Sequence, residues 1–323
     1  MLLGGLGLIV KGGEFFVAAA IRLAEFLRMP RVVIGSTLVS LATTTPELVV
    51  SIMAGLRGES GLAVGNAVGS CICNISLILG VTAAIKRVDV HFRTLRIPLL
   101  AMVGLGVVIF ILSLDLTLTR WQGGLLLVIG FSYFAWDFST HWRNRKPAAL
   151  EEAEAIEEEK AAVRWAWALT KPGTIVQFVF GAVIVVAGSR LLVEGAVAAA
   201  SRMGVSPMII GLTVVAVGTS LPELITAVTS SRKSVSDLAV GNVLGANIAN
   251  LSLIIGAAAV IQTVTMDRLT QLFSFPAMLA FMALLFWMLL SDRRLSRREG
   301  LSLLAFYAIY LMIVAGITIT STR

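Results

Sequence analysis

The sequence predicts an all-α polytopic membrane protein in which ten transmembrane helices form two inverted five-helix repeats. Three observations lead to this prediction. The chain has 323 residues, of which 57% are hydrophobic and only 14% charged, so it lacks the polar surface of a soluble domain of this size. Apolar runs of about 20 residues, long enough to cross a bilayer as helices, recur from end to end. One long segment of the first half also recurs in the second half.

The apolar runs define the predicted membrane spans and the regions between them. A first five-helix half occupies residues 1–141, an acid-rich linker residues 142–173, and a second five-helix half residues 174–323. The linker is the one long polar stretch and is interpreted as a solvated helical connector. The ten predicted spans lie near residues 2–27, 32–56, 61–85, 97–114, 121–141, 174–201, 206–230, 236–261, 269–290 and 300–320.

Lysine and arginine are distributed unevenly between the two sides of the predicted membrane domain. The formal net charge is +7, and in a membrane protein the placement of these residues sets the orientation. The side that holds the linker carries eighteen of them: Arg28, Arg31, Lys86, Arg87, Arg93, Arg96, Arg143, Arg145, Lys146, Lys160, Arg164, Lys171, Arg232, Lys233, Arg293, Arg294, Arg297 and Arg298. The other side carries five: Arg57, Arg120, Arg202, Arg268 and Arg323.

The positive-inside rule converts this asymmetry into an orientation. It predicts a multi-pass protein of the cell membrane with both termini outside and the central linker in the cytoplasm. The lipid bilayer is the expected surrounding. Because the basic excess is explained by orientation, we expect no nucleic-acid partner.

An internal repeat organises the chain. Residues 35–80 align with residues 211–256 without a gap, at a constant offset of 176 residues. TTTPELVV in the first copy corresponds to TSLPELIT in the second, and LAVGNAVGS corresponds to LAVGNVLGA. Each half contains five predicted spans, and an odd number makes the second half enter the membrane with the opposite polarity. The repeats are therefore predicted to be inverted.

Each repeat places one glutamate in the middle of a predicted span, Glu47 in the first and Glu223 in the second. An ionised carboxylate at that depth is costly unless it is neutralised or paired, so it points to function. One such motif on its own could be a proline kink whose glutamate bonds to a neighbouring helix. Two symmetry-related copies favour a cation site near the bilayer midplane.

Oxygen atoms accompany each glutamate along the sequence. Hydroxyl side chains lie three and four residues before it, a spacing that gathers them on one face of a helix. These hydroxyls belong to Thr43, Thr44, Thr219 and Ser220. Pro46 and Pro222 cannot donate a backbone hydrogen bond and push the preceding turn open. We expect this to free the carbonyl oxygens of residues 40–43 and 216–219 as ligands.

Such a set of oxygens suits a hard cation such as calcium or sodium. Zinc is disfavoured because it prefers His or Cys ligands, and His91 and His141 lie at span edges. We therefore expect transported ions and no resident cofactor. The next span of each repeat carries glycines at GxxxG spacing, which lets helix backbones approach closely. Polar residues further along these spans can face the glutamates: Ser70, Asn74 and Asn250.

The two repeats resemble the α-repeats of the calcium/cation antiporter superfamily, in particular its sodium/calcium exchanger branch. TSLPEL and LAVGNVLGAN carry the resemblance, which covers both repeats closely and the ten-span plan loosely. It implies a secondary antiporter that exchanges calcium for sodium by alternating access. In that family two glutamates and neighbouring backbone carbonyls bind calcium, which corresponds here to Glu47, Glu223, Thr43 and Thr219.

The same resemblance implies sodium sites that flank the calcium site. One would use Ser40, Thr43, Thr44 and Ser70. The opposite one would use Ala216, Thr219, Ser220 and the residue at position 246. Asn74 and Asn250 would frame the middle position.

Three positions depart from the family pattern. Ala246 stands where a hydroxyl is usual, Asn250 where several members have Asp, and Cys71 where Asn is usual. A missing sodium ligand keeps a calcium/proton antiporter on the same fold as the alternative. An intramembrane hydrolase or a channel has no supporting motif, so we expect no enzyme activity. The sequence leaves the oligomeric state open.

Overall fold

The computed structural model describes residues 2–56, 60–89, 92–143, 166–202, 218, 220–266, 268–292 and 294–321. Nearly all of these residues are helical, as expected for apolar runs in which few prolines interrupt the backbone ladder. Four two-residue β-strands connect helix ends: β1 at Val88–Asp89, β2 at Thr117–Leu118, β3 at Val264–Thr265 and β4 at Arg294–Leu295.

The first half contains six helices. Helix α1 is Leu2–Leu27, α2 is Arg31–Thr43 and α3 is Thr45–Leu56. Helix α4 begins as Ser60–Cys73, passes through a π-helical turn at Asn74–Ile78 and ends as Leu79–Ile85. Helices α5 and α6 are Phe92–Leu112 and Arg120–Arg143. These bounds follow the predicted spans to within a few residues at most ends.

The described residues of the second half form five helices, which correspond to α1 and α3–α6 of the first half. After a short 3₁₀ turn at Ala166–Leu169, α7 is Lys171–Arg202 and α8 is Leu221–Arg232. Helix α9 combines Ser236–Ala249, a π-helical turn at Asn250–Ile254 and Ile255–Ile261. Helix α10 opens with a π-helical turn at Thr270–Ser274 and continues as Phe275–Asp292, and α11 is Arg297–Ser321.

The outer surface of the helices is apolar. Phe180, Val128 and Met312 are 62%, 64% and 65% exposed, which fits side chains that face lipid rather than water. Six helices of the described residues are long and apolar enough to cross a membrane, and the bent pair of α2 and α3 makes a seventh. The all-α membrane architecture is thus confirmed. The number ten stays a prediction, because α1, α6 and the partly described span near 206–230 are not among these seven.

Two β-ribbons show that the repeats are inverted. Strand β1 pairs with β4, and β2 pairs with β3, both antiparallel. The internal offset makes β3 the counterpart of β1. Strands β3 and β4 are separated by the membrane-crossing helix α10, so they lie on opposite faces. Since β1 pairs with β4, β1 lies on the face opposite its own counterpart β3, as an inverted repeat requires.

Glycine contacts repeat this symmetry. Helix α4 packs on α11 where a Cβ at Gly300 would lie 2.8 Å from the carbonyl oxygen of Gly80. Its counterpart is the contact of α6 with α9, where a Cβ at Gly123 would lie 2.8 Å from the carbonyl oxygen of Gly256. Gly80 and Gly256 are related by the repeat. A side chain at either contact would push the paired helices apart.

Helices α4 and α9 form the centre of the molecule. Within their membrane spans 72% and 78% of the residues are buried, compared with 17% in α11. Helix α9 packs closely on α2, because Gly241 and Gly245 leave room for the carbonyl oxygens of Val32 and Ser36. The GxxxG spacing in the second repeat therefore makes the close backbone contact that it predicts. This contact sets α2 and its ligand candidates against the central helix.

Candidate cation site

The helix that carries Glu47 is broken where the sequence predicts. Thr44 has φ −80° and ψ 3°, and α2 and α3 meet at an angle of 44°. The last backbone bond before the break runs from the Thr44 N–H to the Ser40 oxygen (2.9 Å), and the next from the Leu48 N–H to the Thr44 oxygen (3.0 Å). Pro46 has no N–H to offer, so the carbonyl of Ala42 lacks its usual helical donor.

The predicted set of free carbonyls needs one correction. The Ser40 oxygen, which we expected to be available, accepts bonds from the Thr44 N–H and from the Thr44 hydroxyl at 2.7 Å. The Leu41 oxygen accepts the hydroxyl of Thr45 at 3.0 Å. The hydroxyls of Thr44 and Thr45 thus bond to the first two of the four carbonyl oxygens predicted to be free. Among the described residues, the backbone bonds at the break leave the carbonyls of Ala42 and Thr43 without a backbone donor.

The second repeat shows the same local geometry at the start of α8. Ser220, with φ −91° and ψ 11°, precedes the helix, and Pro222 lies in its first turn. The Ser220 oxygen accepts the Leu224 N–H at 3.1 Å, which corresponds to the Thr44–Leu48 bond. The other two predicted ligands of this segment, Ala216 and Thr219, lie outside the described residues.

The two glutamates are fully buried and close enough to interact electrostatically. Glu47 is 1% and Glu223 0% exposed, and the charge of Glu223 acts on Glu47. Glu47 Oε1 accepts a long hydrogen bond of 3.5 Å from the Ser220 hydroxyl. Within the part of the chain that the structure describes, Glu47 Oε2 and both carboxylate oxygens of Glu223 have no hydrogen-bond donor, and no lysine or arginine pairs with either residue.

Buried carboxylate oxygens without donors are unfavourable unless a cation or a proton neutralises them. This makes the Glu47–Glu223 pair a place where a positive charge is strongly favoured. A hard cation fits the chemistry, because the surrounding groups that the structure describes provide oxygen atoms and no competing ammonium or guanidinium group.

Hydroxyls from both repeats meet at this point. The Ser220 hydroxyl lies 3.4 Å from that of Ser70 on α4, so α4 and the start of α8 converge beside Glu47. Thr43 also lies near Glu223, and its hydroxyl donates to Asn242 Oδ1 at 3.2 Å. The structure therefore brings Thr43, Ser70 and Ser220 to the two glutamates.

Ser40 and Thr44 are placed differently. The Ser40 hydroxyl donates to the Ser36 oxygen at 2.8 Å, and the Thr44 hydroxyl donates to the Ser40 oxygen. Both are buried, Ser40 within α2 and Thr44 at the break that follows it. Their hydroxyls donate to carbonyl oxygens one turn back along the chain and not to a glutamate. Each hydroxyl oxygen retains acceptor capacity for a cation.

Two buried asparagines lie further along the central helices. Asn74 and Asn250 are 1% and 0% exposed, and each begins a π-helical turn, a feature often found at functional sites. Asn74 Nδ2 donates to Asn247 Oδ1 at 2.9 Å. Of the remaining amide atoms, Asn74 Oδ1 and both Asn250 Nδ2 and Oδ1 have no partner among the described residues.

Sequence reasoning missed several polar residues around the site. Asn242 and Asn247 on α9 contact Thr43 and Asn74. The repeat contained a signal for Asn242, since Asn66 is its counterpart, but spacing alone does not show which helix an asparagine faces. Asp137 on α6 is 2% exposed and accepts the Ser36 hydroxyl at 3.3 Å. No motif marks Asp137, because this contact joins residues far apart in the sequence.

Comparisons with known proteins agree with this geometry. The family model described as sodium/calcium exchanger protein matches residues 1–136 and 173–316. The chain is 36% identical over 314 residues to the putative antiporter CaxA of Alkalimonas amylolytica, with 96% of each chain covered. It is 30% identical to the sodium/calcium exchanger MaX1 of Methanosarcina acetivorans, with 97% of each chain covered.

A solved structure shares the whole fold. The sodium-calcium exchanger NCX_Mj superposes with a TM-score of 0.80 at 26% identity, over 98% of this chain and 97% of that one. The family model and the two full-length relatives together cover both repeats and the helices around them. Their names describe exchangers and antiporters, not enzymes. The chain therefore belongs to the sodium/calcium exchanger family, a group of multi-pass membrane antiporters that transport Na⁺ and Ca²⁺ without a cofactor.

Proposed function

We propose that the protein exchanges calcium for sodium across the membrane by alternating access, and that Glu47 and Glu223 share the calcium ion. One observation carries this proposal. Both carboxylates are fully buried, the charge of Glu223 acts on Glu47, and three of their four oxygens have no donor among the described residues. Two carboxylates balance the charge of one calcium ion, and neutral oxygens nearby can complete its shell of 6 to 8 ligands.

The same charges explain why transport is an exchange. A conformational change that carries two uncompensated carboxylates through a low-dielectric interior is expensive. With an empty, ionised site the protein therefore does not change between its two access states, whereas with a site neutralised by calcium or by another cation it can. Calcium leaving on one side must be replaced before the site returns, and this couples the two fluxes.

The identity of the replacing ion follows from the hydroxyls. Sodium needs several oxygen ligands, whereas a proton needs only the carboxylates. Thr43, Ser70 and Ser220 all approach the glutamates, which favours sodium. The second candidate, calcium/proton exchange, is favoured by Ala246, which is fully buried on α9 and offers no ligand atom where Ser70 stands in the other repeat.

We predict that Ala246→Ser strengthens sodium binding, because it restores a hydroxyl at the position equivalent to Ser70. The sodium concentration that gives half-maximal calcium flux should fall about twofold to tenfold, the effect of one added polar contact. The measurement is calcium uptake into proteoliposomes at fixed pH over a range of sodium gradients, with and without a protonophore. Calcium flux that ignores sodium and collapses with the protonophore would reject sodium coupling in favour of proton coupling.

We also propose the orientation given by the positive-inside rule. Lys86 donates to Ser234 Oγ at 2.8 Å, and Arg297 donates to the Ile85 oxygen at 3.0 Å, so the basic loops of both halves meet on the face that carries β1 and β4. That face is proposed to be cytoplasmic, with the linker on it and both termini outside.

A matched pair of cysteine variants tests the orientation. Asp89, in β1, and Asp115, just before β2, are both exposed aspartates, and aspartate contributes little to topology. On a background without Cys71 and Cys73, Asp115→Cys should react with an impermeant maleimide in intact cells. Asp89→Cys should react only after the membrane is opened. The reverse pattern would mean that the protein is inserted the other way round.

A further inference from the structure

A chain of polar contacts fixes Asn74 in the first repeat. Asn247 Oδ1 on α9 accepts the Asn74 amide at 2.9 Å, and Asn247 Nδ2 donates in turn to Met102 Sδ on α5 at 3.4 Å. All three residues are at most 1% exposed. Because both Asn74 donors lie on Nδ2, this bond determines which way the amide points. It leaves Asn74 Oδ1 free for another partner.

The internal repeat predicts the same contact around Asn250. Adding or subtracting the offset of 176 residues relates Asn74 to Asn250, Asn247 to Cys71 and Met102 to Met278. Met278 is fully buried, like Met102. The middle residue of the second chain is therefore a cysteine, and a thiol is only a weak hydrogen-bond acceptor.

The consequence is visible at Asn250. The Cys71 thiol is directed to the backbone oxygen of Asn247 at 3.8 Å, so it makes no amide contact of the kind Asn247 makes. Neither Asn250 Nδ2 nor Asn250 Oδ1 has a partner among the described residues, although the side chain is 0% exposed. A buried amide with both groups unpartnered is uncommon and calls for a physical reason. The Cys71 substitution within the repeat supplies one.

We infer that Asn247 is a positioning residue that holds Asn74 as a fixed oxygen ligand, while Cys71 leaves Asn250 free to turn. The two amides at the middle of the site are thus unequal. Asn74 presents its oxygen in every state. Asn250 can direct its oxygen toward a bound cation, or its N–H groups toward the carboxylates when no cation is present. This inference rests on the proposed calcium site and assigns roles to Asn247 and Cys71, which are not among its proposed ligands.

Moving the fixed contact from one repeat to the other tests the inference. The variants are Cys71→Asn, Asn247→Cys, the double swap of both, and Cys71→Ala as a control that removes the thiol without adding an acceptor. Calcium binding to purified protein is measured by equilibrium dialysis with radioactive calcium. The half-saturating calcium concentration and the maximal rate of uptake are measured in proteoliposomes, and the melting temperature is measured without calcium.

A preorganised ligand binds more tightly because less freedom is lost on binding. Cys71→Asn should therefore lower the half-saturating calcium concentration about threefold to tenfold, and Asn247→Cys should raise it by a similar factor. The double swap should return close to the wild-type value, and Cys71→Ala should stay within about twofold of it. The maximal rate should change less than the half-saturating concentration in every variant that folds.

Several results would overturn the inference. Equal calcium affinity of Cys71→Asn and Cys71→Ala would show that Asn250 gains nothing from the new amide. If Cys71→Asn does not fold, Asn247→Cys still decides, because an unchanged affinity in that variant would contradict the positioning role. If every variant that loses calcium affinity also has a lowered melting temperature in the absence of calcium, Asn247 has a structural role only. A wild-type protein that binds no calcium would instead contradict the proposed function.

Discussion

Replacing either Glu47 or Glu223 with glutamine is expected to abolish calcium transport while the protein stays folded. With one carboxylate, a bound calcium ion keeps an uncompensated positive charge in a low-dielectric site. Breaking a buried charge pair in this way reduces affinity by at least about a hundredfold. Stability should stay equal or rise, because glutamine removes a buried charge that has no paired cation among the described residues. The measurements are radioactive calcium uptake and the melting temperature of the purified variants.

The chain offers a matched control for this substitution. Glu14 on α1 is also a helical glutamate, but it is exposed and paired with Lys11 at 2.8 Å. Exposed pairs contribute little, so Glu14→Gln should transport calcium at the wild-type rate. Robust calcium exchange by Glu47→Gln or Glu223→Gln, in protein whose folding is verified, would remove these residues from the site.

Gly245→Ala is expected to have the largest effect on stability. A Cβ at this position would collide with the carbonyl oxygen of Ser36 and approach the Ser40 hydroxyl. Backbone atoms of α2 cannot move aside as a flexible side chain can, so α2 and α9 would separate. Overpacking of this kind costs about 1–3 kcal/mol, and it displaces the helix that leads to Glu47. Both the melting temperature and calcium transport should fall.

Gly104→Ala provides the comparison for Gly245→Ala. No described atom lies within 4 Å of a Cβ at Gly104, on α5, and alanine is a better helix former than glycine. This variant should melt at or above the wild-type temperature and keep its transport activity. If Gly245→Ala has the same melting temperature as Gly104→Ala and transports calcium normally, the α2–α9 contact can relax without loss of stability.

The sequence predicts the elements that depend on local pattern. The span at 236–261 coincides with helix α9, and the break before Glu47 follows from Pro46, since proline removes a donor whatever surrounds it. The inversion of the repeats follows from the odd number of spans in each half. The π-helical turns at Asn74 and Asn250 were not predicted, because no residue preference marks a single widened turn.

Contacts between helices account for what the sequence could not provide. Thr43 and Thr44 are predicted to line the site, but the Thr44 hydroxyl bonds to the carbonyl oxygen of Ser40, one turn back along the chain, a competition that the spacing does not reveal. The contact of Asn247 with Asn74 depends on how α4 and α9 are rotated relative to each other. Asp137 meets Ser36 only because α6 packs beside α2. Such pairings are decided by packing, and one sequence without its relatives carries no record of them.

The two β-ribbons also affect how the protein is made. Each ribbon takes one strand from each half, so Val88 finds its partner only when Leu295 has been synthesised, and Leu118 must wait for Val264. The amino-terminal half therefore enters the membrane with the backbone groups of two strand segments still unpaired on opposite faces. The β2–β3 ribbon can close once Val264 has been made, and the β1–β4 ribbon only after Leu295. The amino-terminal half therefore reaches its final structure only by pairing with the carboxy-terminal half.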